Sequence, residues 1–193
     1  MGTQVSGGGT LSRYIKPGPE FGQLFSAFEH TAFRLEVRAT YAPTYERESY
    51  ENFLAGEPYE LPWMQDWLSM VRQAASEGRR FTRVRVVSLP LSDYNRWSHV
   101  IAQHNIAAGE DIRYITREGA QDAGLPNEDY WLFDSRQLLR MEFGDDDRFI
   151  GGEIIENPAR IVQYNYWRDA AWHHAVRRDE FATEEQFGRA QRS

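Results

Sequence analysis

The chain has 193 residues, 41% of them hydrophobic, enough to bury the core of one domain. It has no cysteine, which excludes disulfides, thiol nucleophiles and thiolate metal sites and fits a reducing cytoplasm. Its formal net charge of −7 argues against a general nucleic-acid coat, because non-specific affinity comes from neutralising phosphates with basic side chains. No run approaches the roughly 20 apolar residues that span a bilayer. Nor does a basic stretch precede an apolar one at the N-terminus, so a cytoplasmic protein without a membrane partner is expected.

Taken in order, residues 1–19 hold Gly7-Gly8-Gly9 and Pro17-Gly-Pro19 with few apolar anchors, and read as a flexible tail. Residues 20–60 read as a small N-terminal lobe. In it Phe21, Leu24, Phe25 and Phe28 recur at helical spacing, while Phe33, Leu35 and Val37 alternate with Arg34, Glu36 and Arg38 as in a half-buried strand. Thr44 or Ser49 opens a further helix carrying Tyr50, Phe53 and Leu54, which Gly56 and Pro58 close.

Residues 61–156 form the expected core α/β unit. Trp63, Trp67, Leu68, Val71 and Ala74 mark an amphipathic helix stopped by Gly78, and residues 81–87 a strand. Ser92 or Asp93 caps a helix that Gly109 ends, and residues 111–115 are a second strand. That order predicts parallel pairing through a crossover. Residues 130–133 and 138–143 are strands, and Asp145-Asp-Asp147 turns the chain into 148–155 as an antiparallel hairpin. Asn157-Pro158 caps a C-terminal helix over 157–178, and 181–193 is a polar tail. Together these predict a single α+β domain over residues 20–180, a mixed sheet with flanking helices.

The order of elements from Trp67 to Phe143 resembles the half-domain of phospholipase-D-like phosphodiesterases, whose active site uses a histidine, a lysine two residues later and an aspartate five further on. The resemblance implies a histidine nucleophile and a lysine that stabilises the phosphate oxygens. Setting the aspartate at Asp134 of Asn127-Glu-Asp-Tyr-Trp-Leu-Phe-Asp134 puts Asn127 at the histidine and Asp129 at the lysine. Neither can perform the chemistry. On this alignment the chain is a non-catalytic relative; otherwise Asp134 is a turn residue opening the Ser135-Arg136 hairpin.

A second resemblance covers nearly everything from Phe21 to Trp172. It rests on Thr31-Ala-Phe-Arg-Leu-Glu-Val-Arg38, Phe53-Leu-Ala-Gly-Glu-Pro58, Arg83-Val-Arg-Val-Val-Ser88, Pro90-Leu-Ser-Asp-Tyr94, Gly109-Glu-Asp-Ile-Arg113, Trp131-Leu-Phe-Asp134 and Trp167-Arg-Asp-Ala-Ala-Trp172. These words are similar to an actinobacterial family encoded near helix-turn-helix regulators and small partner proteins, in development-linked or toxin-antitoxin-like clusters. The resemblance implies a bacterial regulatory protein and carries no catalytic residue with it.

The chemistry-bearing residues yield two candidate sites. Asp93, Tyr94, Arg96, Glu110, Asp111, Arg113, Asp134 and Arg136 fall near predicted strand ends, where open α/β sheets bind ligands, although helix caps and structural ion pairs account for the same residues. Arg79, Arg80, Arg83 and Arg85 form the densest basic cluster, fit for a phosphate or an acidic partner, or for pairing with the chain's own carboxylates. Lys16 is the only lysine among 22 basic residues, a bias that reflects either a GC-rich genome or bidentate anion recognition. The five histidines include no i, i+4 pair, and Asp145-Asp-Asp147 lacks the ligand pattern of a calcium loop, so no metal or cofactor is expected.

The function expected is that of a non-enzymatic accessory or regulatory protein binding a protein partner, such as a helix-turn-helix transcription factor or toxin-antitoxin-like module. The alternatives are a phosphodiester- or nucleotide-directed enzyme using the strand-end cluster, and DNA binding through Arg79, Arg80, Arg83 and Arg85.

Overall fold

The computed structural model describes residues 12–181. Its centre is an eight-stranded mixed sheet: β1 (Ser12–Ile15), β2 (Thr31–Glu36), β3 (Arg80–Val87), β4 (Asp111–Thr116), β5 (Tyr130–Phe133), β6 (Gln137–Phe143), β7 (Phe149–Ile155) and β8 (Val176–Arg177). Their order across the sheet is β1-β7-β6-β5-β2-β3-β4-β8. β2, β3 and β4 run parallel, and β5 lies antiparallel against β2, so one half of the sheet is wound through helices and the other is a meander. The parallel half arises because the connections from β2 to β3 and from β3 to β4 are long enough to carry helices across one face. These are α2 (Arg47–Ala55) and α3 (Gln65–Ser76) in the first, and α4 (Asp93–Ala108) in the second.

Strand alternation divides the side chains between two faces. On the front, Ala32, Phe81, Trp131, Phe133 and Leu139 pack with Phe25 and Phe28 of the segment around α1 (Pro19–Ala27) and with Leu68 and Val71 of α3. On the back, Phe33, Leu35, Val84, Tyr130 and Leu132 meet α5 (Arg117–Asp122) and α6 (Pro158–His174). Tyr130 and Tyr164 pack edge to face there at 4.9 Å. β2 and β3 are therefore largely apolar on the back face and partly charged on the front, whereas β4 turns Arg113 to the back.

The capping chemistry read from the sequence sets several boundaries. Ser92 Oγ accepts the Asn95 N–H at 3.2 Å to open α4, and Gly109 ends it in the left-handed region with φ 113°. Asn157 accepts the Arg160 N–H at 3.1 Å, with Pro158 in the first turn of α6.

Four features differ from the expectations. Residues 12–15, expected in a flexible tail over 1–19, are an edge strand, because Ile15 is buried and the segment completes an antiparallel ladder with β7; residues 1–11 lie outside the described residues. Residues 20–60 are not a separate lobe, since β2 sits between β5 and β3 at the middle of the sheet. The C-terminal helix stops at His174 rather than continuing to 178, and Val176–Arg177 then pairs with β4 as β8. α5 was not expected; Thr116 Oγ caps it by accepting the Gly119 N–H at 3.1 Å. The short α7 (Arg178–Phe181) follows β8, and residues 182–193 of the expected polar tail lie outside the described residues. No described helix is long and apolar enough to cross a membrane.

Candidate functional site

Arg34 and Glu36 of β2 and Arg83 and Arg85 of β3 project from the front face, because they alternate with the apolar residues turned to the back. Helices cover that face, so the charges have to satisfy one another. Glu36 accepts from Arg83 at 2.7 Å and from Arg85 at 2.6 Å, and Arg34 lies 3.7 Å away. Arg83 also donates to Glu110 at 2.7 Å, and Arg85 to the Ser98 carbonyl at 2.7 Å. Burial alone would raise the Glu36 carboxyl, but Arg83, Arg85 and Arg34 together hold it down at about 2. It stays ionised at any physiological pH.

Asp129, just before β5, extends this network. Its carboxylate accepts from Arg34 at 2.6 Å, from the Val37 N–H at 3.0 Å and from the Tyr41 hydroxyl at 2.5 Å. It ties the end of β2 and the loop beyond it to β5. Burial, with Asp129 beside it, pushes the Tyr41 hydroxyl well above its ordinary value, so Tyr41 remains a neutral donor.

Above this charged floor lies a half-open cavity of about 490 Å³. Its floor is Arg34, Glu36, Arg83 and Arg85; its walls are largely aromatic, with Phe21 and Phe25 of α1, Trp63, Trp67 of α3, Trp131 of β5 and Phe149 of β7. Tyr41, Tyr45 and Glu46 from the loop after β2 close one end, with Tyr94, Asn95, Ser98 and Asn105 of α4 along one side. A few polar groups beneath an apolar wall, at this volume, make the usual form of a small-ligand site. Glu46 is 5% exposed and accepts from the Tyr94 hydroxyl at 2.8 Å. Burial raises its carboxyl above the ordinary range, opposed by the hydrogen bond from Tyr94.

The structure disperses the strand-end cluster. Tyr94 alone of the eight lines the cavity, and Glu110 reaches its floor through Arg83. Asp93 and Arg96 pair with each other on an exposed turn of α4. Asp111 and Arg113 form a pair at 3.5 Å, with the Arg113 guanidinium stacked 3.8 Å from the Trp172 ring on the back. Asp134 and Arg136 lie at the N-terminal end of the parallel strands, opposite Asp93, Tyr94 and Arg96, because β5 runs antiparallel to β2. There Asp134 accepts the N–H groups of Glu29, His30 and Thr31 at 2.8, 2.7 and 3.0 Å. Burial would raise its carboxyl, but those three N–H groups and Arg136 hold it low. Arg136 is exposed and bonds Glu29 at 3.1 Å. Asp134 thus anchors the loop before β2 and also enters the hairpin turn, where both it and Ser135 have positive φ.

The basic cluster also separates. Arg83 and Arg85 do share a face, but it is the inner one; Arg79 pairs with Glu77 at 2.6 Å and lies over the Phe28 ring, and Arg80 is exposed at the start of β3. The residues that sequence reasoning missed are Arg34, Glu36, Tyr41, Glu46 and Asp129. The available signal was the alternation in Phe33-Arg-Leu-Glu-Val-Arg38: a strand whose charges face a covered side has to neutralise them internally. Among the described residues, no group of three histidines or acids could hold a metal ion.

The element order and the central mixed sheet define an α+β fold of the phospholipase-D-like half-domain type. NucT from Helicobacter pylori shares that fold, with a TM-score of 0.51 at 9% identity over 86% of this chain and 98% of NucT. The chain belongs to the family described as Domain of unknown function (DUF6879), whose pattern matches residues 19–183. Two other solved structures align less closely. TrmBL2, an archaeal chromatin protein, gives a TM-score of 0.47 at 6% identity, and a phosphatidylserine synthase from Haemophilus influenzae gives 0.44 at 11%. The chain covers 86% and 91% of its own length in these alignments but spans only 54% and 41% of those two proteins. No curated protein sequence matches it significantly.

Proposed function

We propose that the protein is a non-enzymatic binding module, an accessory or regulatory protein that acts on a protein partner and carries a ligand site in its front-face cavity. The observation that carries this reading is the state of the charges beneath the cavity. Arg34, Arg83 and Arg85 are each engaged by Asp129, Glu36 or Glu110 at 2.6–2.7 Å, so a phosphate would have to displace a carboxylate to reach any of them. The two positions aligned with a catalytic histidine and lysine support it further. Asn127 is exposed and accepts from Arg117 at 3.2 Å, and Asp129 repels the phosphate that a lysine would hold.

The partner that this reading favours is a helix-turn-helix regulator encoded beside the protein in an actinobacterial gene cluster. The competing phosphodiesterase reading draws on the fold it shares with NucT, and one preparation tests both. The protein is expected to form a stoichiometric complex with the adjacent regulator in size-exclusion chromatography, and to release no nitrophenolate from bis-(p-nitrophenyl) phosphate. Turnover that Arg34→Ala or Asp129→Ala abolishes would replace the binding reading with an enzymatic one. DNA binding through Arg79, Arg80, Arg83 and Arg85 is the weaker alternative, because two of those four guanidinium groups lie inside the fold and already hold carboxylates.

A further inference from the structure

Three carboxylates line the cavity, and they differ in what neutralises them. Glu36 has Arg34, Arg83 and Arg85 within 4 Å, and Asp147 has Arg38. Glu46 has no arginine, lysine or histidine at that distance among the described residues, although it is 5% exposed. The donor to its carboxylate is uncharged, the Tyr94 hydroxyl at 2.8 Å. A buried carboxylate without a paired counter-ion is costly; Arg85 acts on it only through space and is already held by Glu36 at 2.6 Å, so the chain offers Glu46 a cavity rather than a paired cation.

The surroundings of Glu46 suit a positive charge. Tyr45 lines the cavity beside Glu46 and packs on Trp63 at 5.3 Å between ring centres, while Tyr94 lies 5.9 Å from Tyr41. Aromatic faces attract cations, most strongly where water is excluded. At the far end of the α4 wall, Asn105 is 5% exposed and its side-chain oxygen has no hydrogen-bond partner among the described residues. It is an acceptor without a donor. A ligand that donates satisfies both groups, whereas an anion would meet Glu46 and find every cavity arginine already paired.

We propose that the cavity receives an organic ammonium ion bearing an apolar body, with the ammonium against Glu46 and the body along Trp63, Trp67 and Trp131. This rests on the binding reading of the cavity and adds the charge of its ligand. Ionised Glu46 would be stabilised by the ligand as an arginine stabilises its neighbours, and the aromatic walls would bury the hydrocarbon.

Isothermal titration of the full chain with 4-phenylbutylamine, the isosteric alcohol 4-phenylbutan-1-ol and the anion 4-phenylbutyrate tests the proposal. The amine is expected to bind about tenfold tighter than the alcohol, the scale of one charge-assisted contact, and the acid weakest. Glu46→Gln, checked for folding by circular dichroism, should reduce the amine to the affinity of the alcohol. A capped lysine, N-acetyl-lysine amide, distinguishes the source of the cation: binding as tight as the free amine assigns it to a partner's side chain, and weaker binding to a small molecule. Equal affinity for amine and alcohol, or a preference that survives Glu46→Gln, overturns the cation and leaves the cavity a binding site. Heat from none of the three phenylbutyl compounds overturns the binding reading as well.

Discussion

Asp129, just before β5, places a buried carboxylate beside the middle strand of the sheet, and Arg34 answers it from β2 at 2.6 Å. The pair is buried on both sides, at 4% and 1% side-chain exposure. Removing one member leaves the other without its counter-charge, a change that costs about 3–5 kcal/mol at such sites. Asp129→Ala is therefore expected to lower the urea unfolding free energy by about 3 kcal/mol, since it also frees the Val37 N–H and the Tyr41 hydroxyl. Asp129→Lys should be worse, because it sets two cations together. A fully stable Asp129→Lys protein would show that Arg34 does not depend on this carboxylate. Asp134 acts on the backbone instead. Asp134→Ala should leave the N–H groups of Glu29, His30 and Thr31 without an acceptor, and hydrogen exchange at those three amides should quicken well before the sheet core is affected.

At the scale of elements, the junction of α3 and α4 shows how a single local signal sets both a helix end and a packing distance. Gly109 closes α4 with φ 113°, and a Cβ there would meet Ala75 Cβ of α3 at 2.9 Å. Gly109→Ala should thus combine left-handed strain with overpacking, for a loss of about 2 kcal/mol in thermal or chemical denaturation. An unchanged midpoint would mean that the two helices can separate without penalty. Signals of this kind made α4, α6 and the β6–β7 hairpin legible in the sequence, because Ser92, Gly109, Asn157 and the acidic turn act within a few residues of where they sit. β1 was illegible because its partner β7 lies over 130 residues away and its flanks are rich in glycine and proline. β2 was legible as a strand but not as the centre of the sheet, since alternating charges ordinarily mark a solvated face. The candidate site was lost for the same reason. The strand-end rule gathers residues along one edge, and it assumes a parallel sheet throughout. With β5 reversed, Asp134 goes to the opposite edge, and the acceptor that closes the cavity, Glu46, comes from a loop without periodicity.

Across the whole molecule, the excess of acid over base lies outside a core that keeps its own arginines neutralised, and this predicts the response to pH. Burial, helped by Arg178 and Arg85, lowers the His99 imidazole from 6.5 to about 4 in the folded protein, where it packs 5.1 Å from the Tyr114 ring. A histidine held neutral favours the folded state above its unfolded value. That contribution shrinks as the pH falls from 6.5 towards 4, because the unfolded chain takes up the proton first. Glu36 follows at lower pH. Its carboxyl is held at about 2 against an ordinary 4.5, so its contribution is complete above 4.5 and disappears as the pH falls through 2. Both groups act in the same direction, and their contributions should decline in two successive windows on acidification, set against a gain from the raised carboxyl of Glu46. Urea titrations at intervals from pH 7.5 to 2.5 would resolve them. His99→Gln should flatten the upper window while leaving the lower one, and Glu36→Gln should do the reverse at a cost in stability at neutral pH, because Arg83 and Arg85 lose the carboxylate they share. A difference curve between wild type and His99→Gln that rises as the pH falls from 6.5 to 4 would place His99 in a charged state and remove the basis for the upper window.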